Sequence, residues 1–382
     1  MRHIIYLLAC ALIPLLSSVS GAAVRLERVP EEGIQPQVEV DSKGRVHLLY
    51  FKGDPKAGDI FYTHRQQGAG ATWAASLKVN SHQKATALGN VRGAHLAIGA
   101  GGRPHVAWMG SGMTSSPAGE QHPMLYTRLA EDGKRFEPER NLITHGYGLD
   151  GGGSLAADAK GNVFVAWHAN GSSTEKSETN RVVYLARSTD GGKTFGREVA
   201  VSPAGKGACA CCGMKISHGP GDLVSILYRN AASTDSRAAT LLVSIDGGKT
   251  FTEAGSEPWS INACPMSTAY LGRTEKALLA GWETAGKVKF AGYSPDRGEF
   301  VKTFTPEGQK KARFPTAAHN SSRETLLVWT EGMAWMKGGS VAWMVVNERG
   351  EPVGERGHKD GVPVWSFVAA YPEGSDAFVI VY

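Results

Sequence analysis

The sequence contains no Pro- or Ser-rich linker, no block of like charges and no low-complexity tract, so nothing divides its 382 residues into separate domains. It also lacks an apolar run long enough to span a membrane. The candidate, residues 4–16, is too short and is interrupted by Pro14. Charged residues are scarce at 20%, and the net charge of +5 comes from Lys and Arg that are scattered rather than clustered. A scattered excess is a solvated surface, which argues against nucleic acid as a partner.

The apolar run has a different meaning at the N-terminus. Met1, Arg2 and His3 give a positive start, the apolar stretch follows, and Ser20-Gly21-Ala22 offers small residues for cleavage before Ala23. This is the layout of a secretory signal peptide over residues 1–22, leaving one domain of residues 23–382 in the periplasm or outside the cell. Leu7-Leu8-Ala9-Cys10 resembles a lipoprotein box, but the apolar run continues past Cys10, so lipid anchoring is not expected.

What the remaining chain has in abundance is glycine, 48 residues in all, placed in turns between short apolar runs. That is an all-β pattern. A unit recurs: an alternating strand, a Gly-containing turn, then an apolar strand closing on Trp or Tyr. The clearest copies are residues 36–50, 94–108 and 153–167, and looser ones start near Gly213, Pro265, Pro315 and Phe367. Each of the first six copies is followed by a third strand and a more polar fourth. Four strands at this spacing make one blade of a β-propeller, whose faces are buried only by stacking against neighbours. Six copies are complete and the seventh supplies two strands. Residues 24–30 read as a fourth strand able to pair with the C-terminal strands, so seven blades are favoured slightly over six.

Two turns after third strands carry nearly identical motifs: Ser188-Thr-Asp190-Gly-Gly192-Lys-Thr-Phe195 and Ser244-Ile-Asp246-Gly-Gly248-Lys-Thr-Phe251. They resemble the Asp box, or bacterial neuraminidase repeat, of sialidase-like propellers. In such a turn Ser and Asp bond the backbone, Gly accepts positive φ and the aromatic ring packs back between strands. Asp190 and Asp246 are therefore read as structural. The resemblance implies a sialidase reaction only if an arginine triad, a Tyr nucleophile with its Glu, and an Asp acid/base are present. At the first-blade position of the family's Arg-Ile-Pro motif stands Ile34-Gln35-Pro36, without the arginine. Arg92, Arg229 and Arg313 are candidates to converge on an anion at the channel mouth, and their alternative reading is a solvated rim. Tyr147, Tyr270 and Tyr371 lie near inner-strand ends with no assignable Glu partner.

Four cysteines remain: Cys209, Cys211, Cys212 and Cys264. Cys212-Gly213-Met214 and Cys264-Pro265-Met266 fall where the inner strands of blades four and five begin, so they should meet near one mouth. The pattern resembles exported Asp-box propellers carrying Cys-x-Cys-Cys with Cys-Pro. Export favours two disulfides, in one of three connectivities, with an adjacent Cys211–Cys212 bridge the most strained. The alternative is a soft-metal site, Cu or Zn, in which Met214 and Met266 add thioethers. The spacing reads as neither a zinc finger nor a redox Cys-x-x-Cys. His95, His218 and His319 sit on or near inner strands, each more simply a structural residue than a ligand. The expectation is thus an exported propeller that binds a glycan, an anionic small molecule or a protein partner at the mouth formed by inner-strand starts. The alternatives are a sialidase-type glycoside hydrolase and a soft-metal-binding or scaffolding propeller.

Overall fold

The computed structural model describes residues 21–68, 70–89, 92–114, 122–171, 175, 177–273, 277–294 and 296–382. Residues 1–20, including Cys10, lie outside the described residues. Within them the chain forms seven sheets, six of four strands and one of three, in up-and-down order. The inner strands are Ile34–Val40, His95–Ile98, Gly153–Ala157, Lys215–His218, Ala269–Arg273, Ala312–His319 and Ala369–Glu373. The repeat assignment therefore holds, and the blade count is seven.

The ring closes by the expected pairing of the N-terminal strand with the C-terminal strands, but the strand's place in the blade differs from the expectation. Ala23–Glu27 is the third strand of blade seven, and among the described residues no fourth strand follows it. It runs parallel to Ala377–Val381, with Leu26 opposite Ile380. Parallel pairing follows from connectivity: the strand enters from the opposite end of the chain, so no hairpin sets its direction. Ala22 belongs to this closure, being buried with its N–H directed at both oxygens of the Glu324 carboxylate, 3.3 Å from each.

The core is a ring of apolar clusters, one at each interface between neighbouring blades. The aromatic residues that close the second strands anchor them. Trp108, Trp167 and Trp329 are wholly buried, as are Tyr50 and Tyr228. At the outer edge the two Asp-rich turns are built alike. Ser188 donates to Asp190 Oδ1 at 2.7 Å and accepts from Gly192 N–H at 2.9 Å, while Thr194 Oγ1 donates to Asp190 Oδ2 at 2.6 Å. Ser244, Asp246, Gly248 and Thr250 repeat the set. Gly192 and Gly248 both have φ of 75°. Phe195 packs edge-on against Tyr126 of the preceding blade, and Phe251 packs on the cluster between blades three and four. Every oxygen of Asp190 and Asp246 is thus engaged in its own turn, far from the axis.

Buried carboxylates tie down the loops that enter the blades. Glu198, just before the outer strand of blade three, accepts from the N–H groups of Thr144, His145 and Gly146 at 2.7–2.8 Å and from Thr144 Oγ1 at 2.5 Å. Glu139 holds Ser81 and His82 in the same way in blade two. Burial alone would raise the Glu198 pKa, but the donors bring it down to about 2. A depressed carboxylate stabilises the fold fully above its unfolded pKa near 4.5 and loses that contribution as pH falls towards 2. Glu198→Ala is expected to cost about 3 kcal/mol at pH 7 and little at pH 2, measured by denaturant unfolding at both pH values. Equal losses at the two pH values would refute the charge-based account.

Candidate functional site: the axial channel and the cysteine loop

The seven inner strands enclose an axial channel whose two ends differ. At the inner-strand starts, the end singled out from sequence, the space is only about 70 Å³, lined by Gln37, His95, Met214, Lys215, Tyr270 and Phe314 among others. Towards the inner-strand ends it widens to about 690 Å³. Gln35, at φ 54°, donates its side-chain amide to the carbonyls of Gly89 and Trp365 at 2.8 and 2.7 Å. Glutamine at the place of the family's arginine thus ties blade one to its neighbours.

The arginines predicted to converge do not form a free triad. Arg92 pairs with Asp150. Arg229 is 5% exposed and lies between blades four and five. It donates to Ser267 Oγ at 3.2 Å and to the Glu283 carbonyl, and stacks over Trp259 at 5.0 Å. Arg313 is half-buried and acts on Glu283, whose pKa burial raises and Arg313 partly restores. Arg229 is hydrogen-bonded because it follows a strand that closes on the next blade, a tertiary fact invisible in sequence. Among the tyrosines, Tyr147 donates to Thr144 O and Tyr371 takes a hydrogen bond from Arg65. Tyr270 alone lines both parts of the channel. His95 lines the narrow end, and burial with Lys215 nearby takes its pKa down to about 3, so it is neutral.

The wide part contains Lys215, Glu39 and Arg273, which sequence reading overlooked, beside His218 and His319, which it placed on or near inner strands as possible channel residues. Lys215, half-buried, and Glu39, exposed to the channel, line the wide cavity. The surrounding blades displace water, which lowers the Lys215 pKa and raises that of Glu39, and each is pulled back by the other's charge. His218, Arg273 and His319 occupy one register position, the last inner-strand residue, in blades four, five and six; each pairs with the first residue of its second strand. All three line the wide cavity. Arg273 Nη1 is buried and has no hydrogen-bond partner among the described residues. Arg273 falls at the same column of the repeat as His218 and His319, and that shared column is the sequence signal for it.

The cysteine loop sits beside the narrow end. Cys211 and Cys264 form a disulfide that joins blades four and five. The second expected bridge is absent: Cys209 and Cys212 are buried thiols with Sγ atoms 3.0 Å apart. They are separated by two residues, so the sequence does contain a Cys-x-x-Cys, hidden because Cys211 lies inside it. The loop is fixed by its backbone: Cys209 N–H donates to Arg229 O at 2.9 Å, Ala210 N–H to Glu178 at 2.8 Å, and His168 Nε2 to Cys212 O at 3.0 Å. His168 escaped sequence reading because nothing in its strand distinguishes it. Met214 is 2% exposed and packed in the cluster between blades three and four, and Met266 stands at φ 49°.

The sulfur atoms of Cys209, Cys211 and Cys212 lie within 4.8 Å of one another, which makes the group a metal candidate by proximity. Its chemistry fits a metal poorly. Cys211 is oxidised, and two thiolates on one tetrahedral zinc, with Zn–S near 2.3 Å, stand about 3.8 Å apart rather than in mutual contact.

No family model and no curated relative matches the sequence. Solved structures do resemble the fold. A protein of unknown function from Dyadobacter fermentans is 16% identical at TM-score 0.51, over 87% of this chain and 99% of its own. The Hadza microbial sialidase Hz136 is 13% identical at TM-score 0.51, over 86% and 74%. NanB sialidase from Streptococcus pneumoniae is 11% identical at TM-score 0.42, over 92% and 65%. At these identities the likeness is one of propeller architecture.

Protein carrying the single Cys211–Cys264 bridge should give two thiols per chain when denatured and no stoichiometric zinc or copper. Thiol titration and atomic emission on the same sample test this, and one equivalent of bound metal would overturn it.

Proposed function

We propose that this is an exported ligand-binding propeller that takes a small anionic molecule, sugar acids included, into the wide end of its channel. One observation carries the reading: the Arg273 guanidinium, half-buried, with a nitrogen lacking any partner among the described residues, borders a cavity of about 690 Å³. Half-burial of a guanidinium is costly, and a ligand carboxylate or phosphate meeting its cavity-facing side would offset that cost. Lys215 and His218 from the adjacent blade add charge to the same wall. Sialidases being among the structures of similar fold, an acidic sugar is a natural probe. Hydrolysis of the sialidase type is disfavoured, because Arg92 and Arg229, two of the three candidate arginines, are already engaged by protein partners.

Export is part of the proposal. The leader-like N-terminus and the Cys211–Cys264 disulfide both favour an oxidising compartment. Cleavage before Ala22 would place the new α-ammonium on the Glu324 carboxylate, so we favour Ala22 over Ala23 as the mature start. N-terminal sequencing of exported protein should read Ala22-Ala23-Val24; a start at Ala23 would remove this pairing from the account.

Calorimetry with N-acetylneuraminate, galacturonate, inorganic phosphate and neutral galactose tests the ligand class. At least one anion should bind while galactose does not, and Arg273→Ala should weaken binding about tenfold or more. Burial holds the His218 pKa below 6.5 against the pull of Asp158 and Asp222, with Lys160 and Arg273 adding to the depression. Protonation therefore adds positive charge only below the ordinary histidine range, and anion affinity should rise as the pH is lowered from neutrality. Equal binding of galactose, or an unchanged Arg273→Ala variant, would overturn the reading. Turnover of a fluorogenic sialoside that Arg313→Ala abolishes would instead support a glycosidase.

A further inference from the structure

The Cys-x-x-Cys thiols and the neighbouring disulfide form one sulfur cluster that ligand binding does not use. Cys209 Sγ is 3.0 Å from Cys212 Sγ and 3.4 Å from Cys211 Sγ, so it touches both a thiol and a bridged sulfur. Burial separates the two couples. Cys209 and Cys212 are 1% and 2% exposed, whereas Cys264, the far end of the bridge, is exposed. The pair is also polarised. Burial alone would raise the Cys212 pKa, but the Cys209 S–H donated to it and the Arg229 guanidinium bring it down to about 7. Cys209, as the donor and buried, is pushed up. Arg229 Nη1 is buried without a hydrogen-bond partner among the described residues, which leaves its charge available to a thiolate.

We propose that these four cysteines form a thiol–disulfide exchange relay, in which the buried Cys209/Cys212 dithiol reduces the Cys211–Cys264 bridge and thereby delivers a reactive thiol to the surface at Cys264. The Cys212 thiolate takes the Cys209 proton along their contact as Cys209 attacks Cys211 Sγ. A Cys209–Cys211 bond forms, the bond to Cys264 breaks, and Cys264 leaves as a thiolate. Cys212 then passes its proton to Cys264 and attacks Cys209. Cys211 leaves as a thiolate and takes up a proton from solvent, replacing the one that the Cys209/Cys212 pair had released. One disulfide and one dithiol are exchanged for another disulfide and dithiol, so the internal step needs no oxidant. The external substrate is a disulfide, R–S–S–R. The Cys264 thiolate attacks it and releases one RS⁻, Cys211 resolves the mixed disulfide and releases the second, and the chain ends with both of its pairs oxidised. An external dithiol resets it. In such exchange the attacking group is the thiolate, and access decides which sulfur meets the partner.

The full mature protein, brought to two thiols per chain with dithiothreitol, is quenched in acid, alkylated with N-ethylmaleimide under denaturing conditions and peptide-mapped. Two isomers are expected, one labelled on Cys209 and Cys212 and the other on Cys211 and Cys264. Label confined to Cys209 and Cys212 would overturn the relay. Oxidised glutathione, added to the same two-thiol protein, should yield two equivalents of glutathione thiol per chain. The double variant Cys211→Ser/Cys264→Ser, whose only thiols in the mature chain are the buried pair, should slow that release at least tenfold while its Cys209 and Cys212 still label on denaturation. If that variant oxidises Cys209/Cys212 as fast as wild type, the buried pair reacts directly and the relay is wrong. A single cooperative thermal transition of the variant, lowered by loss of the bridge, separates loss of the relay from loss of fold.

Discussion

Everything in this fold depends on closing the ring, and one short parallel pairing does it. Ala23–Glu27 adds to Ala377–Val381, so the two ends of the described domain share a single sheet. A propeller blade buries neither face alone. Each apolar cluster lies between two blades, and the one joining blade seven to blade one includes Tyr371, Val379 and Val381 together with Val46, Leu48 and Tyr50. Without the closing strand the second strand of blade seven would become an exposed edge, the arrangement that sheet proteins avoid. The closure also fixes the radius of the channel, since seven inner strands must be accommodated around one axis.

The repeat was legible because it is set by local rules. Alternation, a Gly turn and an aromatic strand end recur in each copy, and all three act within about fifteen residues. The Asp turns were legible for the same reason: Ser188, Asp190 and Thr194 bond one another within seven positions. The closing strand was harder. Its composition suits an outer strand, but whether it stands third or fourth depends on what blade seven lacks. The arginines were harder still. Arg229 and Arg92 look alike as residues beside a strand, yet one is buried against Trp259 and the other paired with Asp150 at the rim. Those fates are decided by the facing blade.

The cysteines show both limits together. Their meeting at one mouth followed from the repeat alignment, and the structure joins Cys211 to Cys264 across blades four and five. Which pair bonds, and which stays as thiols, depends on loop geometry. Ala210 is held by Glu178, itself paired with Arg237, while His168 reaches the Cys212 carbonyl from blade three. A glycine at position 151 is part of the same arrangement. A Cβ there would meet the Ala210 carbonyl and, at 2.8 Å, the His168 ring. Small residues in one blade thus make room for the sulfur loop of the next.

The sulfur cluster and the wide cavity share a strand, since Cys212 precedes Lys215 by three residues, roughly 10 Å of extended chain. Movement of the loop would be expected to disturb the cavity wall, but the strand is pinned from both sides before it reaches the wide part. Gly213 N–H donates to Ser267 O of blade five at 2.9 Å, and Ile216 N–H to Ser154 Oγ of blade three at 3.1 Å. Ser154 is fully buried, so water cannot replace that second bond, and breaking it would leave polar groups unpaired. The strand therefore resists displacement where it passes between its neighbours, and changes at Cys209–Cys212 stay within the loop. The two proposed chemistries, at opposite ends of one channel, are kept apart by these interblade hydrogen bonds.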